Sequence, residues 1–251
     1  MALWKDGSTP KIADLTRYER GVIRVASVES IDLQDKIDLA RREAGTCLKR
    51  FLESSAYASN ADSAMDRVVI TEPLARWVTM LALSLAYREA HFSNLSERYQ
   101  GKWEEYKVEA ARIRDEFFLS GVGCVSNPLE RPGIPVIEIV AGDGPADTYY
   151  AATAWVDSSG NESEASDISV AVLSQAGSSI EVFPGTPPPP AVAWNVYAGH
   201  SDTELKRQNS TPLGVANRWT VPAAGLADGP EPSTGQPPDH YVHGMNYLRR
   251  G

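Results

Sequence analysis

The sequence predicts an α+β chain of several domains: a helical bundle, then a β-sandwich, then an extended C-terminal arm. Three observations predict this order. Apolar residues recur every three or four positions up to about residue 120, and they alternate with a period of two beyond residue 134. A proline-rich spacer then leads to an aromatic and basic end. The predicted segments are an N-terminal arm (1–27), the bundle (28–122), a Gly/Pro-rich linker (123–133), the sandwich (134–227), and the spacer with its arm (228–251).

Composition and charge narrow the class of protein. The chain has 251 residues, of which 42% are apolar and 23% charged, as in folded soluble proteins. Residues 1–130 carry 18 Lys+Arg and 20 Asp+Glu, whereas residues 131–251 carry 6 and 13, so the acidic excess lies in the second half. Neither half has the concentrated positive charge of a general nucleic-acid binder.

The start lacks a signal-peptide core, and the longest apolar helical run, Trp77 to Tyr87, is too short to cross a bilayer. We therefore expect folding in a reducing cytoplasm and no membrane partner.

The first half predicts three long helices. Residues 1–27 show no sustained period: a short helix or strand is expected around Tyr18, Val22, Ile23 and Val25, and a mobile arm elsewhere. A helix is predicted from Ser30, its expected cap, to about Glu53, and residues 54–66 are small and polar and predict a loop. Its apolar face is formed by Leu33, Ile37, Ala40, Ala44, Leu48 and Phe51. The next helix is opened by Pro73 and continues to Ala90 with apolar residues on almost every face, which predicts the central, most buried helix.

The third helix is predicted from Asn94 to Leu119, with Gly121 as its stop. Its seam repeats at steps of four and three: Tyr99, Trp103, Tyr106, Ala110, Ile113 and Phe117. Either another part of the chain or another copy of it must cover these aromatic side chains. Tyr99, Trp103 and Tyr106 are accordingly candidates for packing between subunits, with a plain core role as the alternative.

The second half predicts short strands separated by turn residues. Alternating apolar residues occur around Val136, in 150–156, in 168–172, in 180–182 and in 192–196. Turn chemistry fills 157–161, 177–179 and 185–190. The four consecutive prolines at 187–190 lack an N–H for a ladder, so they mark a sheet edge or a crossing between two sheets. This rhythm predicts a β-sandwich of roughly one hundred residues.

The C-terminal end reads as a docking peptide, because large apolar and basic side chains follow a flexible spacer. A disordered terminus is the alternative. The candidate partner-binding residues are Tyr241, Val242, Met245, Tyr247, Leu248, Arg249 and Arg250.

Two parts of the sequence resemble known families. The segment TYYAATAWVDSSGNESEAS at 148–166 resembles the late hairpin of fibronectin-type-III and Ig-like domains. The segments AWNVYAG at 193–199, TPLG at 211–214 and RWTVP at 218–222 are similar to a pattern in structural proteins of tailed bacteriophages. The helical half, by helix order and length, resembles the head-tail connector or adaptor proteins of long-tailed phages, although the plainest adaptors lack a sandwich.

The resemblance implies a structural virion protein of the phage neck, assembled in the host bacterial cytoplasm. It implies a dodecameric ring of identical copies beneath the portal protein, with the C-terminal arm reaching the portal. A tail-completion or tail-terminator protein would bind the other rim, and DNA would pass through the channel without specific contacts. The resemblance implies no cofactor.

The sequence contains no complete motif for metal binding or catalysis. His240 and His243 form an H-x-x-H, but no neighbouring acidic helix or cysteine completes a metal site. We expect no catalytic, cofactor-binding or metal-binding residues, and no enzyme, since no convergent polar set can be named. The alternative function is a sandwich that binds polysaccharide or a cell surface, which exposed Trp155, Trp194 or Trp219 would favour.

Overall fold

A computed structural model of the chain describes residues 1–7, 10–55, 61–93 and 97–244. The chain forms two compact units, and each draws on two stretches of sequence. The helical unit comprises Gly7–Ser126 with Pro238–Gly251, and the β unit comprises Met1–Asp6 with Asn127–Pro237. The prediction of an N-terminal helical region followed by C-terminal β-sheets is confirmed.

Six α-helices build the helical unit within the described residues. They are α1 (Ile12–Tyr18), α2 (Val22–Glu29), α3 (Leu33–Glu53), α4 (Ala61–Met65), α5 (Glu72–Ser93) and α6 (Gln100–Ser120). The central helix is α5, which packs against both α3 and α6. Its Leu74, Val78 and Leu83 are fully buried, as expected for a helix with apolar residues on nearly every face.

The cap of α3 corrects one prediction. Asp32, not Ser30, is the N-cap, and its Oδ1 accepts hydrogen bonds from the backbone N–H groups of Gln34 at 2.8 Å and Asp35 at 3.2 Å. A carboxylate at this position also faces the positive end of the helix dipole. Ser30 ends α2 instead, in a left-handed conformation with φ 55°.

The predicted aromatic helix corresponds to a 3₁₀ turn, Glu97–Tyr99, that leads into α6. Its predicted cap, Asn94, lies outside the described residues. Tyr106, Ala110, Ile113 and Phe117 are buried, as the seam predicts. Gly121 ends the helix with φ 94°, a conformation that favours glycine.

Three short helices lie in segments for which the sequence predicts no long helix. Residues 12–18 and 22–29 form α1 and α2, where a short helix or strand is expected only around residues 18–25. Residues 61–65, inside the predicted loop, form α4, and residues 56–60 of that loop lie outside the described ranges. These helices span at most eight residues, and α2 buries only Val22 and Ala26. Segments this short give no sustained period, so packing against longer helices decides their structure.

The helical unit also holds a small sheet. Strand β1 (Val122–Cys124) pairs antiparallel with β10 (His240–Val242), which the chain reaches only after passing through the β unit. A bridge between Val68 and Cys124 continues the pairing on the other side of β1.

Eight further strands form the β unit. They are β2 (Val136–Gly144), β3 (Thr148–Asp157), β4 (Ser169–Val172), β5 (Ser178–Phe183), β6 (Ala191–Gly199), β7 (Lys206–Arg207), β8 (Leu213–Gly214) and β9 (Trp219–Thr220). One sheet has the order β2-β5-β9, and the other has the order β4-β3-β6-β7, with β8 also paired to β6. The prolines at 187–190 lie between β5 and β6, so they mark a crossing between the sheets, the second of the two predicted alternatives.

The two sheets share one core. Ile180, Val182 and Trp219 come from the first sheet and pack in the same cluster as Trp155 and Trp194 of the second. The N-terminal residues also belong to this unit: Leu3 and Trp4 are buried, and Lys5 forms an ion pair with Glu130.

Candidate partner-binding surfaces

The predicted subunit-packing tyrosines lie in the core of the helical unit. Tyr99 donates a hydrogen bond to Oε1 of Glu29 at 2.9 Å, and Tyr106 donates one to Oε2 of Glu19 at 2.8 Å. Both rings approach Tyr87 of α5, with centroids 6.2 and 5.6 Å apart. The chain's own α5 and the residues bordering α2 therefore cover these two side chains.

The charges and hydrogen bonds around Glu19 keep its hydrogen bond with Tyr106 intact at neutral pH. Burial raises the pKa of Glu19, but hydrogen bonds from Tyr106 and the Gly21 N–H, together with Lys102, outweigh burial and hold it below its ordinary value. Burial and the same hydrogen bond raise the pKa of Tyr106, and burial raises the pKa of Tyr87 to about 12. The carboxylate stays ionised and the phenols stay protonated, as the hydrogen bond requires.

Trp103, the third packing candidate, lies at the surface. Its ring stacks on His91 with centroids 5.7 Å apart and meets Phe92 edge-on at 5.4 Å, while Nζ of Lys107 lies 5.6 Å from its centre. Trp103 is partly exposed and Phe92 is exposed. His91, Phe92 and Trp103 thus form a surface aromatic cluster, and large aromatic side chains are frequent anchors of protein interfaces.

A groove of about 750 Å³ lies between α1, α5 and α6. Tyr18, Met80 and Val108 contribute its apolar walls. Five charged side chains line it, and four of them form ion pairs: Arg76 with Glu109 at 2.9 Å, and Lys102 with Glu105 at 3.2 Å. The fifth, Glu104, accepts a hydrogen bond from Gln100 at 2.9 Å. These exposed pairs stabilise the walls only weakly, so the groove is shaped mainly by helix packing.

The predicted docking arm is anchored at its start. Val242 is buried and pairs with Val122, whereas Tyr241, paired with Gly123, is 52% exposed. The N–H of Asp239 donates to the carbonyl of Cys124 at 3.0 Å. Met245, Tyr247, Leu248, Arg249 and Arg250 lie outside the described residues.

The tryptophans that would favour carbohydrate or cell-surface binding are buried. Trp155, Trp194 and Trp219 all lie in the core between the two sheets. Nε1 of Trp194 donates to the carbonyl of Gly214 at 3.1 Å, which satisfies its polar atom inside the core. A planar aromatic platform built from these three side chains is therefore not available to a sugar ring.

The histidines and cysteines that could bind a metal or react lie apart from one another in the described residues. Within the described ranges, no group of three or more His, Cys, Asp and Glu side chains is placed to hold a metal ion. His240 is hydrogen-bonded to Asp239, and His243 lies against Gly121. Cys124 is buried, and burial raises the pKa of its thiol to about 11.

A buried polar network in the β unit was not anticipated from the sequence. Glu162 Oε1 accepts hydrogen bonds from Asn195 Nδ2 at 3.0 Å and from the hydroxyl of Tyr197. Asn209 continues the network, since its Nδ2 donates to Oδ1 of Asn195 at 2.7 Å. The residues around Glu162 predict only a turn. The hydrogen-bond partners of Glu162 lie more than thirty positions away along the chain. These bonds tie the 158–168 loop to β6.

Comparisons with known proteins add no assignment. No protein-family model matches the chain, and no curated protein matches it. Among the described residues, no helix is both long enough and apolar enough to cross a lipid bilayer.

Proposed function

We propose that this chain is a structural protein of a tailed-phage virion: a head-to-tail adaptor whose copies form a closed ring beneath the portal, around the DNA path. The observation that carries the proposal is the return of the C-terminal segment to the helical unit. Strand β10 pairs with β1, so residues 245–251 begin at the helical unit and not at the β unit. The start of the arm is thereby fixed to the unit that would form the ring.

The action of such a protein is geometric. Identical copies related by rotation present the same heterologous surface to their neighbours and close a ring. The aromatic cluster of His91, Phe92 and Trp103 and the groove bordered by Tyr18 and Val108 are the surfaces of the helical unit best suited to these contacts. Tyr99 and Tyr106 support the ring indirectly, by fixing α2 to the bundle.

The charge distribution suits a DNA path. Residues 1–6 and 127–237 carry five Lys/Arg and fourteen Asp/Glu, which leaves nineteen of each for the rest of the chain. The β unit therefore carries the whole net charge of -9, and the helical unit is neutral. Walls that are neutral or acidic do not hold phosphates, so DNA slides past them.

Under this proposal the arm has two parts, an anchor and a portal-binding part. Val242 is buried and serves as the anchor. Tyr241 and residues 245–251 bind the portal, and the opposite rim of the ring receives a tail-completion or tail-terminator protein. Arginine and large aromatic side chains are suited to this task because they dominate the binding energy of many interfaces.

Truncation after Gly244 tests the proposal. The truncated and full-length chains are each co-expressed with the portal protein encoded in the same genome, and the complexes are measured by native mass spectrometry and negative-stain imaging. We expect ring-sized complexes on the portal for the full chain and loss of attachment for the truncated chain, with unchanged circular dichroism. The cut must follow Gly244, because Gln236 is buried and its Oε1 accepts from the Leu129 N–H at 2.7 Å, and because β10 belongs to a sheet.

A full-length chain that stays monomeric with and without the portal would contradict the ring. Normal attachment of the truncated chain would contradict the role of the arm. As a matched control, Val215→Ala changes an exposed apolar residue of the β unit and is expected to leave attachment intact.

A further inference from the structure

The described part of the C-terminal arm ends where two cavities of the helical unit meet. The first, of about 360 Å³, is lined by Tyr241 and His243 of the arm and by Pro73 and Ser120. The second, of about 270 Å³, lies between α5 and α6, and Pro73 and Ser120 line it as well. The arm therefore leads to one end of a cavity between these two helices.

This cavity continues along α6. Arg76 lines both the cavity and the groove of about 750 Å³ between α1, α5 and α6. We call the three cavities together the α5–α6 groove. Its apolar lining includes Phe117 and Ile113 near the arm and Val108 farther along the helix. The groove thus offers apolar surface along more than two turns of α6.

The α5–α6 groove is acidic, whereas the residues beyond Gly244 are basic. Five glutamates and two basic residues line the groove, which leaves a formal charge of -3. They are Glu72, Glu104, Glu105, Glu109 and Glu116, with Arg76 and Lys102. Residues 245–251 contain Arg249 and Arg250 and no acidic residue, so their side chains carry +2. The charges of the groove and of this segment are therefore complementary.

The direction of β10 leads the arm toward α6. Strand β10 runs antiparallel to β1, which follows α6, so the chain arrives at the C-terminal end of that helix, with His243 against Gly121. An extended chain advances about 3.3 Å per residue and an α-helix about 1.5 Å, so one arm residue passes about two helix residues. Residues 245–251 can therefore extend along about fifteen residues of α6.

We propose that residues 245–251 of the same chain occupy the α5–α6 groove, extended and antiparallel to α6. Counted from the C-terminal end of α6, this register brings Met245 level with Phe117 and Tyr247 level with Ile113. These side chains supply the apolar contacts of the docked segment.

The same register brings the two arginines to the acidic part of the groove. Arg249 lies near Glu109, and Arg250 lies near Glu105. Both glutamates already belong to ion pairs at this surface. Exposed ion pairs contribute little one at a time, whereas several charges in a network contribute more.

The tether selects this chain's own segment as the occupant. Residues 245–251 follow Gly244 directly, and His243 lines the groove. A segment joined to its site by so short a link has an effective concentration in the millimolar range. The same segment of a second copy competes only at the much lower concentration of the dissolved protein, so the contact within one chain prevails.

The docking itself requires no other protein, but its consequence for assembly rests on the proposed function. An arm held in the groove covers part of the surface proposed for ring contacts. When the portal binds the arm, it uncovers this surface at the place of assembly. Copies away from the portal keep the surface covered.

Disulfide trapping in the full-length chain tests the docking. Cys47→Ser removes the partly buried thiol, and Asn246→Cys with Glu116→Cys places one thiol on the arm and one on the groove wall. The matched control is Asn246→Cys with Asp115→Cys, because Asp115 is exposed and adjacent on α6 but does not line the groove. At micromolar protein we expect the intramolecular disulfide to form about tenfold faster with Glu116→Cys than with the control.

Charge variants separate docking from random contact. Added to the Glu116→Cys protein, the double change Arg249→Glu and Arg250→Glu should lower the trapping rate to that of the control. Arg249→Lys with Arg250→Lys keeps both charges and should keep the rate close to that of the parent protein. High salt should slow the trapping, because it screens exposed charges. Circular dichroism checks that each variant is folded.

Three results would overturn the proposal. They are equal trapping rates for Glu116→Cys and Asp115→Cys, a rate that the two introduced glutamates leave unchanged, and disulfides that join two chains, because the occupant would then be a second copy. Trapping that persists while the portal is bound would leave the docking intact and would count against the portal-binding role of the arm alone.

Discussion

The hydroxyl of Tyr106 donates a hydrogen bond of 2.8 Å to Glu19, a residue 87 positions earlier in the chain. Tyr99 makes the corresponding bond to Glu29 at 2.9 Å. Glu19 caps the end of α1 and Glu29 is the last residue of α2, so α2 is fixed near both of its ends. Because α2 buries only Val22 and Ala26, these two bonds contribute a large share of what holds it in place.

Removal of the Tyr106 hydroxyl tests this relationship. Tyr106→Phe keeps the ring against Tyr87 but leaves Glu19 without one of its donors. A hydrogen bond to a charged group contributes about 1.5–3 kcal/mol, so we expect a loss of about 2 kcal/mol from the free energy of unfolding in urea. The matched control is Tyr18→Phe, whose ring is exposed and for which we expect almost no change. Equal losses for the two variants would show that the bond to Glu19 does not stabilise α2.

The same contact predicts a dependence on pH. The pKa of Glu19 is below its ordinary value of 4.5, so its contribution to stability is fully present above about that pH and is lost as the pH falls through the folded-state value. Glu19→Gln removes the titration. The difference in unfolding free energy between wild type and Glu19→Gln should therefore shrink as the pH is lowered from 6 to below about 4. A difference that stays constant over this range would exclude Glu19 as the titrating group.

Local sequence predicted the long helices and the strand rhythm, but not the contacts between distant segments. The seam of α6 was readable because Tyr106, Ala110, Ile113 and Phe117 follow the helical period, and all four are buried. The sequence alone does not distinguish between the chain itself and another copy as the cover of this seam. The answer depends on Glu19, whose neighbours in sequence carry no sign of a tyrosine partner.

The packing of both chain termini also could not be predicted from the sequence. Leu3 and Trp4 look like part of a mobile arm in the sequence, yet both are buried in the β unit. Strand β10 could be recognised as an apolar segment, but its partner β1 follows α6 more than one hundred positions earlier. Pairing over such distances is set by the tertiary fold, and periodicity within a segment does not encode it.

The two cysteines should differ sharply in reactivity. Cys124 is buried in β1, and burial raises the pKa of its thiol from 9.0 to about 11, so very little thiolate forms at neutral pH. Cys47 is only partly buried. In the native protein we expect a thiol reagent to modify Cys47 readily, and to reach Cys124 only on the timescale of local opening. The Cys47→Ser variant should label very slowly until denaturant is added, and Cys124→Ser should label like the fast phase of wild type. Rapid labelling of native Cys47→Ser would contradict the burial of β1.

Gly235 tests how the N-terminal residues are held in the β unit. Its φ is +100°, and a Cβ at this position would lie 2.2 Å from the carbonyl oxygen of Met1. Gly235→Ala therefore adds a backbone clash to a strained conformation, and we expect it to lower the unfolding free energy by about 2–5 kcal/mol. Gly160→Ala is the control, since Gly160 has φ +81° with no atom within 4 Å of the added Cβ, and strain alone costs about 1–2 kcal/mol. Hydrogen exchange at β3 amides would measure both losses, and similar values for the two variants would mean that residues 1–6 do not pack against Gly235.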